Sequence, residues 1–158
     1  MRYAAPDLAA ISCAWGTNMM PELAKLREFA TRYTAAWCSQ NGASVAAHFT
    51  PEGSLTINHD APAAGRTAIT RAAQSFMTTF PDLQVFMDDI LIQGDRAEYH
   101  WTLIGTNNGP GGTGHRVRIS GFEVWEIGVD GLIAESQGCF DEASFQRQLQ
   151  HGLEGSHR

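Results

Sequence analysis

The stretch from Gly114 to Asp141 constrains this chain more than any other. It holds two alternating runs joined by Gly128-Val129-Asp130-Gly131 and reads as a long β-hairpin. Side chains alternate with period two along a strand, so Val117, Ile119, Gly121, Trp125 and Ile127 share one face with Glu123. Whether Asp130-Gly131 or all four residues make the turn, the returning arm brings Leu132, Ala134, Ser136 and Gly138 to that same face. One carboxylate therefore interrupts an apolar surface. A buried carboxylate must find partners, shift its pKa or line a cavity, which makes Glu123 the first functional candidate.

Upstream the pattern is helical. Leu23, Leu26, Phe29, Ala30, Tyr33, Ala36 and Trp37 recur at helical spacing between Pro21 and Gln40, with Pro21 suited to a first helical turn. Asn41-Gly42 breaks this helix, and Ala43 to Phe49 predicts a second, short one that ends before Thr50-Pro51. Gly53 to Asn58 predicts a short strand, His59 to Gly65 a loop, and Arg66 to Phe80 a third helix. Strands follow over Leu83–Gln93 and Arg96–Thr106, then a glycine-rich loop read as a rim of the pocket mouth, then the hairpin, and a helix over Asp141–Leu149. Helices first and hairpin-connected strands after argue for α+β, with helices on one face of a curved antiparallel sheet.

The length of 158 residues suits one domain, read as an arm over 1–20, a domain over 21–150 and a tail over 151–158. A net charge of -6 with Lys and Arg scattered singly gives no footprint for nucleic acid or an anionic membrane, and a small neutral ligand fits better. Cys13, Cys38 and Cys139 are odd in number and far apart, which indicates a reducing, cytoplasmic setting and no zinc knuckle. His59, His100 and His115 lack ligand spacing, so no metal is expected.

The motifs G-R-T-A-I at Gly65–Ile69, F-P-D-L at Phe80–Leu83, G-D-R-A-E-Y-H-W-T-L-I-G-T at Gly94–Thr106, S-G-F-E-V-W-E-I at Ser120–Ile127 and D-G-L-I-A-E-S at Asp130–Ser136 follow one another in a telling order. That order resembles the superfamily of nuclear transport factor two, ketosteroid isomerase, scytalone dehydratase and the SnoaL-like polyketide cyclases, the last most of all. The resemblance covers about residues 21–150 and implies a cystatin-like cone, a bent sheet wrapped around a long helix with an apolar pocket open at one end. It also implies homodimers through the outer sheet face.

Carried over residue by residue, the resemblance puts Tyr33 at the isomerase's oxyanion-hole tyrosine and Glu123 at its protonated carboxylic acid. The isomerase's base falls on Ile57, and the acid/base aspartate of the SnoaL-like cyclases falls on Gly138. The isomerase-like placement turns Glu98, His100 and Thr102 of the Arg96–Thr106 strand toward the pocket, with His100 as the candidate base. Tyr99, Trp101 and Leu103 then lie outside as a dimer patch. His59, with Asp60 beside it, is a lesser candidate base, and Trp125, Ser136 and Gly138 join Glu98, Thr102 and His59 as ligand-binding candidates.

Each candidate has a plain structural alternative: His100 as a hydrogen-bonded wall residue, Glu123 as a satisfied buried acid, Tyr33 as a core aromatic. Two functions of different kind follow. One is a cofactor-free acid/base enzyme (isomerase, cyclase, dehydratase or hydrolase type) acting on a small hydrophobic or aromatic carbonyl compound. The other is a ligand-binding or dimeric interaction domain of the same fold that lacks the catalytic aspartates, with an accessory subunit docking a partner as its variant.

Overall fold

The computed structural model describes residues 13–153, with side chains from Glu22 onward. The expected arm therefore lies partly outside the described residues, as does most of the tail. The elements are α1 (Cys13–Trp37), α2 (Gly42–Ala46), β1 (Phe49–Ile57), β2 (Ala63–Ala64), α3 (Arg66–Thr79), β3 (Gln84–Gln93), β4 (Arg96–Thr106), β5 (Arg116–Ile127), β6 (Ile133–Phe140) and α4 (Glu142–His151). One six-stranded sheet has the order β2-β1-β6-β5-β4-β3. Its pairs are antiparallel except β1 with β6, which run parallel, with one helix and four strands between them in the chain.

Local sequence explains most boundaries. Asn41 caps α2 by accepting from Ala43 N–H at 3.0 Å, and Asp141 caps α4 by accepting from Ser144 N–H at 3.0 Å. Two boundaries differ from expectation. Helix α1, described from Cys13 onward, runs through Pro21, so the proline does not mark its start. Strand β1 begins at Phe49, because the register shift between Phe49 and Ser54 gives Pro51 a place where no ladder N–H is needed.

The core lies between the concave face of the sheet and α1, which buries Phe29, Ala30, Tyr33, Ala36 and Trp37 on one stripe. The hairpin behaves as expected along most of its length: Glu123 sits opposite Gly138 and Trp125 opposite Ser136. A bulge near the turn, between the Glu126–Glu135 and Ile127–Ile133 pairs, turns Ile133 into the core. The glycine-rich loop is no rim of the cavity described below. Gly109 N–H donates to Thr79 O at 3.0 Å and the Thr113 hydroxyl to Leu149 O at 2.5 Å, so the loop is tied to α3 and α4.

Candidate functional site

Glu123 is 7% exposed, and its carboxylate is the focus of the core's polar contacts. Three donors converge on Oε1: the Tyr33 hydroxyl at 2.9 Å, the Trp125 indole N–H at 2.8 Å and the Ser136 hydroxyl at 2.7 Å. Among the described residues Oε2 meets only the same Tyr33 hydroxyl, at 3.3 Å. Burial pushes the Glu123 carboxyl above the ordinary carboxylate range, while the bonds from Trp125, Ser136 and Tyr33 oppose that rise without cancelling it.

The neighbours are aromatic. Trp125 stacks on Tyr99 with ring centres 4.9 Å apart, and both meet Tyr33 edge-on at 5.1 and 5.3 Å. Burial, then the charge of Glu123, raises the Tyr33 hydroxyl well above the usual phenol range. The Trp37 indole moderates that rise without meeting the Tyr33 oxygen in hydrogen-bond geometry. Burial likewise raises Tyr99, whose hydroxyl bonds to that of Thr34.

A cavity of about 50 Å³ opens beside this cluster, with Glu123 and Gly138 in its wall. The rest of its wall is apolar or aromatic, including Ile57, Trp37, Phe76, Tyr99, Trp101 and Phe140. Ligand pockets usually measure roughly 300–1,000 Å³, so this cone is nearly filled by its own side chains and admits only a small head group. Phe76 and Phe140, which border it, rest on Phe145 of α4 with ring centres 6.3 and 5.5 Å apart. A wider groove lies between α1 and the turns of the sheet, but Glu22, Lys25, Glu28 and Arg32 alternate in sign there, as on a solvated helix face.

Of the expected site residues, Glu123 and Gly138 line the cavity, and Tyr33, Trp125 and Ser136 stand against Glu123. The others are elsewhere. Tyr99 pairs directly with Glu123 across β4 and β5, so the inner face of β4 carries Tyr99, Trp101 and Leu103, all 8% exposed or less. His100, Glu98 and Thr102 consequently lie on the outer face, the reverse of the expected parity. There His100 Nε2 bonds Glu98 Oε1 at 3.2 Å, and the Thr102 hydroxyl donates to Asp88 Oδ2 at 2.6 Å. His59 and Asp60 are exposed in the turn after β1. The dimer patch expected from Tyr99, Trp101 and Leu103 is therefore buried inside the molecule.

Sequence reasoning missed Trp37 and Trp101 as wall residues. The available signal was bulk: the face of β4 with two large aromatics had more apolar area to remove from water than the face with Glu98 and His100. Trp101 fits because it packs over Gly121. A Cβ there would stand 2.7 Å from Trp101 Cζ2 and 2.3 Å from Cys139 O.

Comparison with known proteins agrees with this architecture. TsrD from Streptomyces laurentii is 25% identical, with a TM-score of 0.69 over 82% of this chain and 97% of that one. AclR from Streptomyces galilaeus is 22% identical, with a TM-score of 0.68 over 80% and 82%. A protein of ketosteroid isomerase-like fold from Catenulispora acidiphila, solved with trimethylamine, is 17% identical, with a TM-score of 0.69 over 78% and 92%. None of the curated proteins matches the chain. The family profile of the SnoaL-like polyketide cyclases matches residues 27–149, from within α1 to the last turn of α4. With the cone, the hairpin and the cavity all inside that span, the chain belongs to the SnoaL-like polyketide cyclase family.

Proposed function

We propose that this chain is a small-molecule binding domain of the SnoaL-like fold, which takes the head group of a mostly apolar molecule into the cone and presents Glu123 to it as a protonated carboxylic acid. The carrying observation is the asymmetry of the carboxyl group. Three donors occupy Oε1, so the proton that burial favours belongs on Oε2, where among the described residues no donor other than the distant Tyr33 hydroxyl competes. A neutral acid in an apolar site donates a hydrogen bond to a ligand oxygen.

Binding without turnover is favoured over paired acid/base chemistry because Ile57 and Gly138 stand in the cavity wall at the positions to which the family resemblance assigns a base, and His100 faces away. Proton abstraction in concert with an acid needs a second group able to take a proton, and among the described residues Glu123 is the one carboxylate in a wall whose other titratable group is the Tyr99 phenol. A second reading keeps catalysis: Glu123 lines the cavity and, acting alone as acid and then as base, enolises a bound ketone.

A cavity-filling substitution tests the first reading. A Cβ at Gly138 meets Thr56 O at 3.4 Å and Glu123 Cγ at 3.6 Å, ordinary contacts, so Gly138→Leu is expected to fold and to fill the cavity. Acetophenone and the hydrocarbon α-methylstyrene, titrated by nuclear magnetic resonance, should bind wild type and not this variant. Binding to both proteins alike would refute the site. Deuterium exchange at the methyl group of bound acetophenone, if faster than in buffer, would favour the catalytic reading.

A further inference from the structure

Glu123 is equipped for a negative charge that no described residue balances. The three donors on its Oε1 favour the ionised form of the carboxyl group. Yet among the described residues no Lys, Arg or His pairs with it: the ion pairs join Arg96 to Asp95 and Glu126, and His100 to Glu98, on the surface. The titratable groups facing it are Tyr33 from α1 and Tyr99 from β4, two phenols that burial keeps neutral, while β6 brings Ser136 and Gly138. His48 meets the rings of Phe29 and Tyr33, with centres 5.2 and 5.7 Å away. A buried carboxylate without a counter-charge keeps its proton, as proposed above. Given a counter-charge, this one has its donors already in place.

The cavity is where a counter-charge has room. Five of its twelve lining residues are aromatic: Trp37, Phe76, Tyr99, Trp101 and Phe140, from α1, α3, β4 and β6. Aromatic walls suit alkylated ammonium ions, whose charge is drawn to the ring electrons and whose alkyl groups are apolar. A primary ammonium would bring three N–H donors to a wall short of acceptors, since Oε1 is taken and the Tyr99 hydroxyl is engaged with Thr34. A quaternary ammonium brings none. Its size fits as well, because about 50 Å³ holds roughly four groups of water's size at about 10–15 Å³ each, as in a nitrogen with its methyl groups.

We propose that the cone binds a quaternary ammonium head group as well as neutral ones, with Glu123 as its counter-ion and the aromatic wall around its methyl groups. This rests on the cavity's being the ligand site and goes beyond the neutral head group by adding a charged class of ligand. On binding, the Glu123 O–H bond breaks, its proton leaves for solvent, and the ammonium takes the place beside Oε2.

Trimethylphenylammonium and tert-butylbenzene share one shape, a charged nitrogen replacing a carbon. Neither has a donor or acceptor for hydrogen bonds, so donation from Glu123 contributes to neither. In nuclear magnetic resonance titrations of wild type at mildly alkaline pH, the cation is expected to bind about tenfold more tightly and to displace tert-butylbenzene competitively. The preference should shrink as pH falls and Glu123 takes up its proton. Calorimetry in buffers of different ionisation heat should then detect a proton released with the cation and none with the hydrocarbon. Glu123→Gln should bring the two affinities within about twofold. Gly138→Leu, with its cavity filled, should bind neither, which separates the site from general attraction to a chain of net charge -6.

Equal affinities in wild type would overturn the inference. So would a preference that survives in Gly138→Leu or in a folded Glu123→Gln. Acetophenone, titrated beside them, keeps the two readings apart: if it binds and the cation does not, the inference alone falls, and if none of the three binds, the cavity falls as well. Should Glu123→Gln fail to fold, the wild-type proton count still decides, because cation binding that is independent of pH and releases no proton refutes the exchange.

Discussion

The Tyr33 hydroxyl donates to Glu123 Oε1 over 2.9 Å, a fully buried bond between side chains 90 positions apart in the chain. It fastens α1 to the middle of the sheet, and the Trp125 and Ser136 donors complete the set on the same oxygen.

The set is unequal in what its members leave behind. Glu123→Ala strands three buried donors, whereas Tyr33→Phe leaves Oε1 with two of its partners. Glu123→Ala is therefore expected to destabilise the fold by about 3 kcal/mol or more, and Tyr33→Phe by about 1 kcal/mol. Urea unfolding midpoints at constant slope measure both, and equal losses would contradict the shared-acceptor arrangement.

Stability should carry the mark of the Glu123 proton. Burial raises the folded-state pKa above the value of the unfolded chain, so the folded protein keeps a proton that the unfolded one has released. The stability this contributes is complete below the unfolded pKa, about 4.3, and is lost as pH rises through the folded value. Relative to Glu123→Gln, wild type should lose stability with rising pH across that window. A difference that stays flat or grows with pH would mean that the carboxyl is ionised in the fold. An infrared band of a protonated carboxyl, absent from Glu123→Gln, gives an independent check.

The His100–Glu98 pair, on the outer face with both side chains about a third exposed, should be nearly silent. His100→Ala is expected to change stability by less than about 0.5 kcal/mol, as for other exposed ion pairs. Glu123→Gln should leave the nuclear magnetic resonance signals of the His100 ring at constant pH unmoved. Displaced signals would place the two groups in contact and contradict the β4 register.

Gly121 should resist even the smallest substitution. The added methyl of Gly121→Ala collides with Cys139 O and Trp101 Cζ2, and overpacking of this kind costs about 1–3 kcal/mol. The variant should melt lower and shift the Trp101 indole resonance, and an unchanged indole signal would refute the packing of that ring over Gly121.

The outer sheet face is where we expect two copies of the chain to pair, now through different residues from those first considered. Phe86 is 47% exposed, and Leu91, Phe122 and Val124 are half-buried on the same face. Wild type should have a dimer's mass by light scattering, and Phe122→Arg should shift it toward monomer. A monomeric wild type would end the idea.

Much of the fold was readable because its signals are local. Helical spacing identified the inner stripe of α1, and alternation placed β4 at its observed bounds. In the hairpin the alternation also put Glu123 on one face with Trp125, Ser136 and Gly138, since parity survives an uncertain turn length. It failed only near the turn, where a bulge restarts the count and brings in Ile133. Pro21 misled because a proline favours a first helical turn without requiring one, and α1 passes through it.

By itself, the sequence determined an α+β chain with a long amphipathic helix and a hairpin carrying one inward acid. Only the tertiary structure decided what that acid meets. Period-two alternation divides β4 into a face with Tyr99 and Trp101 and a face with Glu98 and His100, but a strand alone has no inside. The β4–β5 register, with Tyr99 opposite Glu123, and the packing of α1 against that face choose between them, and they choose burial of the larger apolar area. The imidazole is thereby sent to the outer surface, and two indoles are brought to the wall of the cavity.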